Sequence, residues 1–290
     1  TIDSMPCRRD HDRLLGPGVL DMKGGLVQML YALEALGEAG VALPATPLVF
    51  VNCDEETGSR DSTRHVRRLA RASARAFVLE PADGPRGALK TTRKGVGRFT
   101  VRIEGHAAHA GLSPGEGASA ILEMSHLVQE LFQLNDPERG VTVNVGTVDG
   151  GLGANVIAPT VVAEVDVRAW TQADADRVEE RIRDLAPTNP RCAIRVDGGF
   201  GRPPMEQTDR NEALWRRAVS AARALDLDIA RAGVGGASDA NTTTRYTATL
   251  DGLGAVGQGA HAVDEQLVIT RMPERAALLA VLLASGLEGP

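Results

Sequence analysis

Residues 47–58 read PLVFVNCDEETG: an apolar run, then three adjacent carboxylates, then a threonine and a glycine. The continuous apolar run from Pro47 to Asn52 predicts a strand covered on both faces. Asp54, Glu55 and Glu56 then fall at its carboxyl end, where like charges raise one another's pKa. A cation placed there would remove that penalty. Successive residues of a strand point to opposite sides, so in a turn at its end one glutamate can hold a metal while the next serves as a base. Taken alone, the same residues also make an acidic surface turn, and this segment by itself favours the plainer reading.

The flanking sequence places this turn in a layered fold. Upstream, the stretch through Leu15 is polar and reads as irregular, and Gly16-Pro17-Gly18 and Asp21 follow it. Leu26, Met29, Leu30, Leu33 and Leu36 then recur at helical spacing, and Gly40 closes the helix. Downstream, a helix over about 62–72 precedes a second buried strand, Ala76 to Leu79, that ends in Glu80-Pro81. Strand, helix, strand with polar groups at the strand ends describes an α/β layer with its site at the carboxyl edge of the sheet.

The pattern changes after Thr92. Phe99, Val101 and Ile103 alternate with polar residues and predict a half-exposed strand. A helix over about 118–132, strands at 141–148 and 160–170, a helix at 173–185 and a last strand near 192–196 complete the order β-α-β-β-α-β, a split ferredoxin-like unit. From Glu206 the α/β style returns, with a helix near 211–225, a glycine-rich loop Gly233 to Asp239, a strand near 247–250, a loop carrying His261 and a final helix near 273–283. The expected domains are therefore 1–91 and 203–290, forming one α/β unit, and 92–202, an insertion with an antiparallel sheet.

Composition narrows the function. The 290 residues are 43% hydrophobic and only 3% aromatic, enough for a sizeable core built from Ala, Val and Leu. A net charge of −6 supplies no basic field to displace phosphate counterions, so no nucleic acid is expected as a partner. The basic cluster from Arg64 to Arg75 is read as the solvated face of a helix. Cys7, Cys53 and Cys192 are odd in number and lack CxxC spacing, so no disulfide framework is expected. No apolar run approaches the ~20 residues that cross a bilayer, and no membrane partner is expected. The chain begins at Thr1 rather than Met; a cytoplasmic location is the working expectation.

Three further residues carry weight jointly. Asp21, just before a helix, could simply cap it. Glu80 could be an ordinary charge at a strand end. His261 sits between alanines in a glycine-rich loop, where an imidazole has little structural purpose. With Glu56 they make an oxygen-rich set with one nitrogen, which zinc, cobalt or manganese accepts.

Seven segments occur here in a recognisable order: GPGVLDMKGG (16–25), VNCDEETGS (51–59), LEPAD (79–83), GHAAHAG (105–111), NVIAPT (155–160) followed by DVR (166–168), GGASDA (235–240) and GAHAVDE (259–265). The chain resembles the glutamate carboxypeptidase / aminoacylase / acetylornithine deacetylase family of di-zinc hydrolases, and most closely its glutamate carboxypeptidase branch. The resemblance runs from about Pro6 to the C-terminus. It implies a zinc-exopeptidase-like catalytic domain with a mixed sheet and a ferredoxin-like insertion that makes a homodimer through 92–202.

By the same resemblance, Asp21 bridges two zincs, Glu56 and His261 bind one of them, and Glu80 binds the other. Glu55 is the general base for a metal-activated water, and His109 polarises the scissile carbonyl from a neighbouring subunit's side. Asn155 and Arg168 hold the substrate's free carboxylate, and Gly235 and Gly236 lie beside the substrate as backbone. The physical chemistry agrees: a histidine at a carbonyl oxygen can stabilise an oxyanion by ~3–4 kcal/mol, and Arg168 offers a two-pronged carboxylate contact. Glutamate at position 80 resembles the carboxypeptidase, deacylase and desuccinylase members, whereas aspartate resembles aminopeptidases.

The expected substrate is thus a small molecule with a free carboxylate beside the amide. An N-acyl-amino-acid deacylase is the alternative enzyme, separated only by the pocket around Arg168, Asn155 and Arg202. A truncated, inactive relative that serves as a dimerisation module is the alternative outside enzymes. The family's His-x-Asp segment, which supplies a ligand of the second zinc, is missing here, and His11 in RRDHDR is not its replacement. The sequence is therefore expected to be truncated, with the Asp21–Glu80 zinc site short of a nitrogen and activity of the 290-residue chain weak.

Overall fold

The computed structural model describes residues 6–286. The ends of the first and last expected segments, 1–5 and 287–290, lie outside the described residues. The chain divides into two compact units. The first comprises the residues through Arg93, Met205–Val234 and those from Ser238 onward; the second comprises Lys94–Pro204 with Gly235–Ala237.

The first unit opens with a hairpin, β1 (Arg8–Asp10) and β2 (Arg13–Leu15), in the stretch the sequence suggests is irregular. Four of its six strand residues are charged and exposed and only Leu14 and Leu15 are half-buried, so no alternation marks it; pairing with a distant strand does the work. Next come α1 (Gly24–Glu38), α2 (Thr63–Ala72), β3 (Arg75–Phe77) and β4 (Leu89–Arg93). The apolar rhythm locates α1 but misplaces its buried line. Gly25, Gln28, Ala32 and Leu36 are buried, while Leu30 is 61% exposed. Close approach decides this: a Cβ on Gly25 would lie 2.2 Å from the Leu79 carbonyl oxygen, so only glycine lets the helix sit there.

The strand expected at 47–52 does not form. Among the described residues the segment joins no sheet ladder. Leu48, Val49, Phe50 and Val51 are 41–62% exposed. An apolar run specifies burial only where another element covers it, and among the described residues no strand pairs with this one.

The second unit holds β5 (Gly95–Glu104), α3 (Ala120–Phe132), β6 (Thr142–Gly150), β7 (Thr160–Ala169), α4 (Gln172–Arg183) and β8 (Ala193–Arg202). Its four strands form one antiparallel sheet in the order β6-β7-β5-β8, the ferredoxin-like arrangement. The alternation in β5 is realised as expected: Phe99, Val101 and Ile103 are fully buried on one face. They pack with Leu127, Leu131 and Ile182 from the helices and with Val165 from the neighbouring strand, and Phe200 meets Phe99 edge-on at 6.3 Å. Each such buried side chain contributes ~1.5–3 kcal/mol.

The chain returns through α5 (Asp209–Ala224), β9 (Arg231–Val234), the short α6 (Ala240–Thr243), β10 (Ala248–Leu250), β11 (Gly257–Gln258), β12 (Gln266–Val268) and α7 (Met272–Ala284). In the first unit β10 pairs parallel with β3, and β4 parallel with β9, while a single Lys90–Asp251 bridge links the two pairs. A separate antiparallel sheet runs β1-β2-β12-β11. The architecture is α/β with mixed sheets. Leu89, Leu214, Leu250, Leu278 and Leu282 form the main core of this unit. Among the described residues, no helix is long and apolar enough to cross a membrane.

Candidate metal centre

Three carboxyl- or imidazole-bearing loops of the first unit converge. Asp21 lies in the tight turn Val19–Lys23 ahead of α1, with φ −115° and ψ 93°, so it is not the helix cap that its position also allows. Glu56 lies in a single 3-10 turn, Glu55–Thr57, closed by Gly58 at φ +95°. His261 lies between β11 and β12 at φ +64°, a conformation uncommon for a residue with a Cβ. One ligand atom from each of Asp21, Glu56 and His261 falls within 4.8 Å of the others. His261 Nε2 stands 3.3 Å from Asp21 Oδ2 and 3.3 Å from Glu56 Oε2.

The electrostatics of the group favour a cation. Burial raises the pKa of the Asp21 carboxyl, the nearby Glu56 raises it further, and His261 opposes both. Glu80 follows β3, half-buried, and is pushed up to about 9 by burial and by the charges of Asp251, Asp21 and Glu55. Carboxyl groups held together at this cost are stabilised in their charged form by a divalent ion. Two oxygen donors and one nitrogen donor at this spacing fit zinc and also cobalt or manganese. Glu80 is not part of the three-residue group but belongs to the same charge cluster.

Of the three adjacent acids, Asp54 has a different task. Its Oδ2 accepts the backbone N–H groups of Asp61 and Ser62 at 2.9 and 3.1 Å, which ties the turn to the start of α2. Contacts from Ser62 hold its carboxyl below the usual range. Glu55 is half-buried and Glu56 exposed in the same turn.

The structure also supplies residues that the sequence reading left without a role. Asp239, in GGASDA, accepts from Ser59 Oγ at 2.6 Å and from Asn52 Nδ2 at 2.9 Å, and so clasps the DEETGS turn from across the unit. Behind Glu80, Arg93 Nε donates to Asp251 Oδ2 at 2.6 Å, and Ser238 Oγ donates to the same oxygen at 2.7 Å. Lys90 feels Asp251, Glu80 and Asp21, while burial and Arg93 hold its pKa down. The available signal was membership of the quoted segments: Ser238 and Asp239 sit inside GGASDA.

The remaining candidates lie in the second unit. His109 is exposed, and its Nδ1 accepts the backbone N–H groups of Gly111 and Leu112 at 3.1 and 3.2 Å. An Nδ1 that accepts is unprotonated, which leaves the ring proton on Nε2 as an outward donor. The His109 segment is joined to the Asn155 segment by Ala110 N–H to Asn155 O at 3.0 Å and by a His109–Val156 bridge. Arg168 places Nε and Nη2 on the two oxygens of Asp166 and donates Nη1 to the Gly235 carbonyl at 3.1 Å. Its fork is therefore engaged by Asp166, a contact the sequence reading did not include. Gly235 and Gly236 are exposed.

Comparison with known proteins follows the same lines. Residues 91–191 match the model of the peptidase dimerisation domain. Carboxypeptidase G2 from Pseudomonas sp. is 28% identical over 283 residues, which cover 96% of this chain and 68% of that protein. The succinyl-diaminopimelate desuccinylase of Paracidovorax citrulli is 28% identical over 281 residues, covering 91% of this chain and 70% of that one. The chain is thus similar to proteins of the M20 peptidase family. Its fold matches that of the Bacillus subtilis YXEP protein, described as a dinuclear metal binding peptidase of this family, with a TM-score of 0.70 at 16% identity over 89% of this chain and 69% of that one. The chain spans less than half the length of the probable carboxypeptidases from Arthroderma and Trichophyton species that it also matches.

Proposed function

We propose that this chain hydrolyses an amide or peptide bond next to a free carboxylate, with a divalent metal held by Asp21, Glu56 and His261. The observation that carries the reading is the convergence of those three side chains within 4.8 Å, with the Glu80 carboxyl close enough to feel the charge of Asp21. Zinc is the metal expected by family, and a second ion would use Asp21 and Glu80. When bound, such an ion lowers the pKa of a water towards ~7 and polarises a carbonyl.

The chain's own residues do the rest. Glu55, next to the ligand Glu56, takes the proton of the attacking water and returns it to the leaving amine. His109, reaching the active site of the neighbouring subunit in a homodimer, presents Nε2–H to the carbonyl oxygen there, and its Nδ1 contacts fix the ring for that task. Asn155 and Arg168, with Gly235 and Gly236 as backbone, hold the carboxylate of the substrate. The similarity to both a carboxypeptidase and a desuccinylase keeps peptide and acyl-amino-acid substrates as the two classes to compare.

The test is a hydrolysis panel of peptides and N-acyl amino acids, run with metal analysis on the wild type and Glu55→Gln. We expect turnover that falls ~10²–10⁴-fold in the variant with metal content unchanged. A wild type with neither turnover nor stoichiometric metal would identify a non-catalytic relative and sink the proposal.

A further inference from the structure

Glu265, the last residue of GAHAVDE, takes no part in the proposed chemistry, yet it is buried, at 5% exposure. Its two oxygens accept three backbone N–H groups: Gly18 to Oε2 at 2.6 Å, Leu20 to Oε1 at 2.9 Å and Asp21 to Oε1 at 2.8 Å. The Gly16 N–H donates to the Glu265 carbonyl at 3.1 Å. The loop that carries Asp21 is thus wrapped around one carboxylate.

The local sequence explains the wrap. Gly18 has φ +71°, and a Cβ on Gly16 would meet Cys7 Cα at 3.1 Å. Glycines at both positions let the amides of 18, 20 and 21 turn to one point and form an anion-binding nest. Glu265 also lies four residues after His261, in the loop closed by Ala262 N–H to Gly259 O and Glu265 N–H to Ala262 O. One carboxylate therefore joins the Asp21 loop to the His261 loop. Three donors need two accepting oxygens. A glutamine there keeps one oxygen and turns an NH₂ towards a donor.

We infer that Glu265 is a positioning residue for the metal centre: it holds Asp21 and His261 in mutual register, so that the centre binds a divalent ion more tightly. This rests on the metal-centre reading above and adds to it a residue that does not touch the ion. Groups of this kind outside the ligand set commonly change metal affinity 10–100-fold.

The experiment titrates zinc, by competition with a chromogenic chelator, and cobalt, by its visible absorption, into the full chain as wild type, Glu265→Gln and Glu265→Asp. Hydrogen exchange of the metal-free wild type reads the amides of 18, 20 and 21. The expected result is zinc binding about 10–100-fold weaker in Glu265→Gln, an altered cobalt spectrum, partial recovery in Glu265→Asp, and slow exchange at all three amides. Wild-type affinity and spectrum in a folded Glu265→Gln overturn the inference. So do fast-exchanging amides in the wild type, a result that stands even where the variant does not fold. No binding by the wild type overturns the metal-centre reading itself, and is separable because it requires no variant.

Discussion

Asp54, Glu55 and Glu56 are chemically near-identical and adjacent, yet they face three different environments. Asp54 is bonded to the amides that begin α2, Glu56 faces His261, and Glu55 sits between them, half-buried. What separates them is the 3-10 turn, which points successive side chains in different directions. A second residue-scale feature is the buried Arg93–Asp251 pair, whose side chains are 4% and 0% exposed. Asp251→Asn would remove one partner of this buried pair, and such losses cost about 3–5 kcal/mol. Chemical denaturation should therefore show a destabilisation of that order; a change within ~0.5 kcal/mol would contradict the assignment.

At the scale of elements, three of the helices, α3, α4 and α5, are started by hydroxyls. Ser119, Thr171 and Thr208 each accept the N–H three residues on, at the first turns of α3, α4 and α5. Thr171 also donates to Asp174 Oδ2 at 2.7 Å, which makes it the more connected cap. Thr171→Ala should cost ~1 kcal/mol, measured by urea unfolding of the full chain. Asp174 is buried, which alone would raise its pKa, but the Thr171 hydroxyl and the guanidinium groups of Arg139 and Arg177 outweigh burial and hold it below 3.8. Because the folded value is depressed, its contribution to stability is complete above about pH 4 and is lost as pH falls through the folded value. Asp174→Asn should thus remove part of the acid sensitivity; identical acid-unfolding curves for variant and wild type would refute this.

At the scale of the molecule, metal and partner are the two expected dependencies. Binding of an ion to the folded state alone stabilises it by about 2.7 kcal/mol at a hundredfold excess over Kd. Chelation should therefore lower the thermal midpoint and zinc should restore it. A midpoint indifferent to chelator would argue that the Asp21–Glu56–His261 group stays vacant. The match of residues 91–191 to a peptidase dimerisation domain predicts a homodimer in solution. Sedimentation at micromolar concentration should give twice the 30.6 kDa chain mass, and a monomer would count against it.

By itself the sequence determined the β-α-β-β-α-β insertion, because alternation in strands such as Phe99-Val101-Ile103 and long helical periodicity are local signals that burial then follows. It also singled out Asp21, Glu56, Glu80 and His261 as candidates for chemistry, because the segments around them are short, ordered and unusual in composition, and the first, second and fourth are the ones that converge. Tertiary structure alone decided what those segments do to one another. The strand expected at 47–52 depends on a partner that no periodicity can reveal. The hairpin at 8–15 is charged, and only its pairing with β12 gives it a place. The buried line of α1 is set by how closely Gly25 approaches Leu79, and the loop of Asp21 by three amides that meet Glu265, 244 residues away. Contacts across such separations leave no periodic trace in the chain, and they appear only when the fold brings the loops together.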